Sequence, residues 1–181
     1  GPNFAYELCL RKVSPEERAS LDLSSWDLAF TGAEPVQPST LERFSRAFGP
    51  CGFDAKAFYP CYGLAESTLI VTGGAKAAPP RVSAFDSAAL LQNEVRKREG
   101  CGGEGRPCVG CGTALEHGRV VIAHPASMTP CRPGAVGEIW VSGPSVASGY
   151  WDNPGEGRET FGAYLADTGE GPFLRTGDLG F

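Results

Sequence analysis

The chain has 181 residues, 41% of them apolar and 20% charged, a balance that suits a globular protein with room for a real core. Its formal net charge of −5 argues against a nucleic-acid-binding surface, and no apolar run approaches the roughly 18 residues of a membrane span. No signal-peptide pattern opens the chain, so a cytoplasmic protein is expected, and 25 glycines with 15 prolines predict frequent turns and few long helices. The seven cysteines are odd in number and irregularly spaced, which fits reduced thiols better than a disulfide framework. Cys108-x-x-Cys111 with Cys101 nearby invites a zinc reading. A second CxxC or HxxxH partner is missing, and His117, His124 and Cys131 sit at no recognisable spacing, so plain thiols are the preferred reading.

In chain order, Phe4 to Val13 predicts a helix with mixed faces, Phe4, Tyr6 and Leu8 being core candidates by pattern. Asp22 to Thr31 holds a dense apolar segment, Trp26 to Phe30, that reads as a buried strand ending in a turn at Gly32. Pro38 to Phe48 predicts a helix with Leu41, Phe44 and Phe48 on one face, and Ser39 with Glu42 suggests a capping box at its start. Ala55 to Tyr59 is a second short strand. Strand, helix and strand at this length form a βα unit of a mostly parallel sheet. Ligands in such sheets bind beyond the carboxyl ends of the strands, where Thr31-Gly32-Ala33-Glu34-Pro35 and Tyr62-Gly63-Leu64-Ala65-Glu66 both fall.

From Lys76 the character changes, with Ala77-Ala78-Pro79-Pro80 a linker-like break. Arg81 to Phe85 reads as a strand, and Asp86 as the cap of a helix running through Arg98 to Gly100, with a basic, solvated C-terminal face. Gly100-x-Gly102-x-x-Gly105 formally matches a dinucleotide fingerprint but follows a helix and opens none, so it reads as a loop. The last third is β-rich: Arg119 to Ala123, Glu138 to Val141 and Phe173 to Thr176 are strands, Pro133-Gly134 a turn, and Asn153 to Tyr164 carries a short helical signal.

Four stretches in order, Thr31 to Pro35, Tyr62 to Glu66, Gly137-Glu138-Ile139-Trp140-Val141 and Arg175-Thr176-Gly177-Asp178, together resemble the adenylate-forming superfamily. The fuller runs GPNFAYELC, LDLSSWDLAFTGAEPV, YGLAEST and GEIWVSGPSVASGYW resemble its fatty acyl-AMP ligase branch. The resemblance implies an α/β fold, in which βα units of a mostly parallel sheet precede an antiparallel, β-rich, distorted barrel-like subdomain. It divides the chain into part of the α/β subdomain (1–75), a branch-specific insertion (76–112) and the β-rich subdomain (113–181). It also places Phe4 and Tyr6 beside an acyl pocket, as an alternative to the core.

The resemblance further implies a reaction joining a fatty acid to the α-phosphate of ATP with Mg²⁺, then passing the acyl group to an acyl carrier protein or polyketide synthase carrier domain. Gly32 and Ala33, with Glu34 and Pro35, would wall the adenine pocket. Tyr62 would stack on adenine beside Gly63, Glu66 would be the catalytic Mg²⁺ ligand, and Asp178 would accept from the ribose hydroxyls. Taken singly, Tyr62 is equally a core aromatic, Glu66 a helix N-terminal carboxylate and Asp178 a turn residue. Glu138 reads as structural support. The family's phosphate loop is expected before Gly1, which with Pro2 reads as native sequence. The domain with the catalytic lysine is expected after Phe181, and Lys12, Lys56 and Lys76 match none of the family's lysine positions. The chain is therefore expected to be an inactive middle slice of a larger enzyme. An acyl-CoA synthetase, an amino-acid adenylation domain and a catalytically silent scaffold are the alternatives.

Overall fold

Leu41, Phe44 and Phe48 recur at helical spacing behind Pro38, whose ring suits the first turn of a helix. In the computed structural model, which describes residues 1–98 and 105–181, they form the buried face of a helix. The elements in chain order are α1 (Asn3–Lys12), α2 (Pro15–Ala19), β1 (Ala29–Thr31), α3 (Pro38–Phe48), β2 (Phe58–Gly63), β3 (Ile70–Gly73), β4 (Val82–Asp86), α4 (Ser87–Leu90), β5 (Gly105–Val109), β6 (Thr113–Ala114), β7 (Arg119–Ala123), β8 (Gly137–Ser142), α5 (Pro154–Phe161) and β9 (Leu174–Gly180). Two compact units divide them. The first comprises Gly1–Gly63, Thr72–Ser83 and Pro107–Thr113, the second Leu64–Val71, Ala84–Arg106 and Ala114–Phe181.

The first unit is built on the parallel pair β1 and β2, in register Ala29↔Phe58, Phe30↔Tyr59 and Thr31↔Pro60. Through Thr72, Gly73 and Thr113 this pair belongs to a four-stranded sheet in the order β1-β2-β3-β6. Its core is aromatic. Phe44 stacks on Phe48 at 4.4 Å between centroids and meets Tyr6, Phe53 and Phe58 edge to face. Such pairs add about 0.5–1.5 kcal/mol each beyond the area they bury. Helix α1 buries Tyr6 but leaves Phe4 64% exposed and Leu8 half-exposed, so only one of the three core candidates is core. The strand expected over Trp26 to Phe30 is shorter, because Trp26 turns its Nε1–H onto the Leu28 carbonyl at 2.9 Å and ordered pairing begins only at Ala29. The helix α3 starts one residue before the expected cap: Gln37 is its N-cap, without a side-chain bond, and Ser39 lies inside the first turn. A capping box exists instead on α2, where Ser14 accepts from the Glu17 N–H and Glu17 accepts from the Ser14 N–H.

The second unit contains the antiparallel sheet β7-β8-β9, with Ala123, Trp140, Ala163, Leu165 and Phe173 as its core. The subdomain is antiparallel and β-rich as expected, and among the described residues its sheet does not close into a barrel. The helix expected from Asp86 through Arg98 is absent. Asp86 does cap, accepting from the Ala88 and Ala89 N–H groups, but α4 stops at Leu90. Asn93 adopts a left-handed φ of 59°, and the chain doubles back so that the Asp86 N–H donates to the Arg96 carbonyl and the Arg98 N–H to that of Ala84. Residues Asn93 and Val95 pair instead with Gly134 and Val136. Leu91 is consequently 88% exposed, while Arg96, Lys97 and Arg98 are exposed as the sequence suggests. Gly100, Cys101 and Gly102, on which the fingerprint and zinc readings partly rest, lie outside the described residues.

Candidate functional site

Because β1 and β2 are parallel, the segments leaving their carboxyl ends emerge side by side. From β1 come Gly32, Ala33, Glu34 and Pro35, and Tyr62 and Gly63 close β2. The two segments touch. A Cβ placed on Gly32 would lie 2.6 Å from the Cys61 carbonyl oxygen and 3.1 Å from its Sγ, so the loop rests on the residue preceding Tyr62 and tolerates no side chain there. Ala33 follows with a left-handed φ of 67°, and Ala33, Glu34 and Pro35 are exposed while Gly32, Tyr62 and Gly63 are half-buried. Beneath them Thr31 is fully buried, and its Oγ1 has no hydrogen-bond partner among the described residues. Burial pushes the Cys61 thiol pKa up, so that thiol stays protonated.

One residue without a role in the sequence reading fixes this loop. Buried Asn3 donates from Nδ2 to the Pro35 carbonyl at 3.0 Å and accepts at Oδ1 from the Gln37 N–H at 2.9 Å. Both ends of one amide thus clamp the exit of the Gly32–Pro35 segment. Its partners lie more than 30 positions away, and no local pattern reports them.

In the second unit Glu66 sits on a short 3₁₀ turn, Ala65–Ser67. Its Oε1 accepts from the Tyr150 hydroxyl at 2.9 Å, and its backbone carbonyl accepts from the Ala147 N–H at 2.8 Å. The Ser67 and Ser145 hydroxyls meet at 3.1 Å, and Thr68 Oγ1 donates to the Ser145 carbonyl at 2.8 Å. Thr68 itself has φ 66° and ψ −63°, with the Leu69 N–H donating to the Ser67 carbonyl at 2.8 Å. This is a γ-turn of the rare hand, a strained geometry for a β-branched residue. Strain of that kind persists only where neighbours over-determine it, as the Ser145–Tyr150 loop does here. A single carboxylate of this sort cannot cage a metal alone. It does fit Mg²⁺, which takes one or two protein carboxylates and completes its shell with phosphates and water. Among the described residues no group of three or more His, Cys, Asp or Glu side chains could hold a metal.

Asp178 is exposed on β9, in the same unit as Glu66. Beside it the buried Glu138 carboxylate accepts from Arg175 Nη2 at 2.9 Å, Trp140 Nε1 at 3.0 Å and the Gly177 N–H at 3.1 Å. Burial alone would raise its pKa, but the donors from Arg175, Trp140 and Gly177 outweigh it and hold Glu138 below the usual carboxylate range. The structure therefore groups Gly32 to Pro35 with Tyr62 and Gly63 in one unit, and Glu66 with Asp178 in the other.

Residues 2–151 match the family described as AMP-binding enzyme. The chain is 48% identical, over its whole length, to a medium-chain-fatty-acid–[acyl-carrier-protein] ligase of Moorena producens, and spans 31% of that protein. A second ligase of that description, from Teredinibacter turnerae, is 42% identical over 99% of the chain, which spans 29% of it. Among solved structures, the fatty acyl-adenylate ligase of Legionella pneumophila in complex with acyl adenylate and pyrophosphate superposes with a TM-score of 0.93 at 42% identity, covering all of the chain and 31% of that protein. The chain spans less than a third of the relatives it matches, and no described helix is long and apolar enough to cross a membrane. With the family match extending over most of its residues, the chain belongs to the AMP-binding enzymes.

Proposed function

We propose that this chain is the middle part of a fatty acyl-AMP ligase, which activates a fatty acid with ATP and Mg²⁺ and delivers the acyl group to the phosphopantetheine thiol of an acyl carrier protein or carrier domain. The observation that carries the reading is the whole-length 48% identity to a fatty-acid–[acyl-carrier-protein] ligase. The position of the motifs agrees with it, since Gly32–Pro35 and Tyr62–Gly63 leave adjacent strand ends. In this reading Gly32 and Ala33, with Glu34 and Pro35, offer backbone to the adenine edge, and the half-buried Tyr62 ring stacks on its face beside Gly63. Glu66, oriented by Tyr150, supplies the carboxylate for Mg²⁺ at the phosphates, and Asp178 accepts from the ribose hydroxyls. Residues 76–112 are the insertion that separates this branch from coenzyme A ligases.

The test uses the complete protein that contains this chain and follows fatty-acid-dependent ATP–pyrophosphate exchange. Asp178→Ala should weaken ATP binding by about 1.5–3 kcal/mol, the worth of a hydrogen bond to a charged group. Glu66→Ala should lower the exchange rate, with partial recovery at high Mg²⁺. Folded variants that both exchange like the parent would show that the site is misassigned. Acyl transfer to coenzyme A as readily as to a carrier protein would instead favour an acyl-CoA synthetase.

A further inference from the structure

The pairing of β8 with β9 slips by two residues at one point. Val141 faces Leu174 and Trp140 faces Arg175, yet on the other side Glu138 faces Leu179 and Gly137 faces Gly180. Between these pairs β8 contributes Ile139 alone, whereas β9 contributes Thr176, Gly177 and Asp178. A bulge of this kind takes groups out of the ladder and re-aims a side chain. Asp178 stands exposed on the bulge.

Three backbone groups at the slip find side-chain partners. The Gly177 N–H donates to Glu138 Oε1 at 3.1 Å. The Asp178 N–H donates to Thr176 Oγ1 at 3.1 Å, and the same hydroxyl donates to the Ile139 carbonyl at 2.7 Å. Gly177 takes a φ of 73°, which glycine adopts without cost. The anchor of the set is rigid: Glu138 is 5% exposed and fixed by Arg175 and by the fully buried Trp140. A buried ion pair is weak evidence of a stabilising role, because well-packed apolar residues serve as well or better. Here the carboxylate does something an apolar residue cannot do, in accepting the N–H at the crest of the bulge.

We infer that Glu138 and Thr176 are positioning residues for nucleotide binding, which lock the bulge of β9 so that Asp178 is set for the ligand before it arrives. The inference rests on the reading that Asp178 meets the ribose. A pre-formed bulge spares the ligand the cost of ordering Thr176 to Asp178, and that saving appears as affinity for the nucleotide alone. Neither residue touches the ligand in this scheme. Both act through Asp178.

The experiment compares Thr176→Val, Thr176→Ser, Glu138→Gln and Asp178→Ala in the complete protein, reading KM for ATP, KM for fatty acid, the thermal midpoint, and amide exchange at Gly177 and Asp178. Valine keeps the shape of Thr176 and removes both of its hydrogen bonds. It should raise KM for ATP by about three- to tenfold, leave KM for fatty acid and the thermal midpoint near the parent, and speed exchange at Asp178. Serine should restore the parent values. Glutamine at 138 keeps one acceptor but turns an N–H₂ towards Arg175 or Gly177, and should raise KM for ATP while speeding exchange at Gly177. Should that variant fail to fold, the Val and Ser pair carries the test alone. If Asp178→Ala weakens ATP binding while Thr176→Val does not, the inference is overturned and the site reading stands. A Thr176→Val variant with a lowered midpoint and both KM values raised alike marks a purely structural role and overturns it too. If Asp178→Ala leaves KM for ATP unchanged, the site reading fails and takes the inference with it.

Discussion

Gly32→Ala tests whether the β1 exit segment depends on its contact with the end of β2. Two effects of opposite sign compete. Gly32 is not among the glycines with a left-handed φ, so alanine can adopt its backbone conformation. On entropy alone the change would stabilise by about 0.4–1 kcal/mol, through loss of freedom in the unfolded chain. Against this, the new Cβ would lie 2.6 Å from the Cys61 carbonyl oxygen. Relief requires one strand end to move by roughly 0.5–1 Å, and such overpacking costs about 1–3 kcal/mol. The steric term wins, and a net loss of about 1–2 kcal/mol is expected, roughly 2–8 °C in the calorimetric midpoint of a chain this size. The Cys61→Ala background makes the argument sharper. Truncation there removes the Sγ at 3.1 Å but leaves the nearer backbone oxygen, so it should not rescue Gly32→Ala. A Gly32→Ala protein as stable as the parent, or one restored by Cys61→Ala, would show that the Cys61 carbonyl does not limit this position.

Thr31→Val should stabilise the chain by about 1–2 kcal/mol, since it removes a fully buried hydroxyl that has no partner among the described residues; a lower urea midpoint would show that Oγ1 is satisfied after all. Tyr6→Phe should cost about 1 kcal/mol at neutral pH through loss of the 2.6 Å bond to the Phe30 carbonyl. Burial, with smaller contributions from Cys61 and Cys9, pushes the Tyr6 hydroxyl pKa up to about 12 from its ordinary 10.0. The neutral phenol is therefore favoured by folding, and its contribution is whole below pH 10 and lost as pH rises towards about 12. Urea unfolding on both sides of that window should show a decline in the parent that Tyr6→Phe lacks. An unchanged decline in the variant would assign it to another group.

How much of the fold is legible depends on whether a segment's partners are local. Helix α3 is readable to the residue, because Pro38 and the spacing of Leu41, Phe44 and Phe48 lie within the segment itself. Strand β7 is readable for the same reason, as a run of β-branched residues between turn signals. The segment from Ser87 to Arg98 has equally good local credentials for a helix, in Asp86 as a cap and a run of strong helix formers. It fails because Asn93 turns left-handed and the backbone finds sheet-like partners at Ala84, Asp86, Gly134 and Val136. Helix propensity differs by only tenths of a kcal/mol per residue, so a few tertiary hydrogen bonds suffice to override it. Leu91, apolar in the pattern and 88% exposed in the fold, marks where the local reading gives way.

The candidate site divides along the same line. Its named residues stand at places that sequence reports well, because a strand end or turn must be punctuated: Gly32 after β1, Gly63 at the end of β2, Gly177 on the bulge. The contacts that aim them are silent in sequence. Asn3 reaches Pro35 and Gln37 across more than 30 positions, Tyr150 reaches Glu66 across 84, and Glu138 reaches Gly177 across 39. Their signal is pairwise and long-range, so no window along one chain can contain it. The same separation gives these contacts their physical value. A hydrogen bond between distant segments forms against the entropy of closing the intervening chain, and it then holds a loop whose own residues prefer no single conformation. Glu66 on its strained turn depends on such support most directly. Thr68 holds a γ-turn only while Ser145 and Ala147 hold the backbone on either side of it, so the loop carrying Tyr150 fixes the direction of the Glu66 carboxylate as well as donating to it.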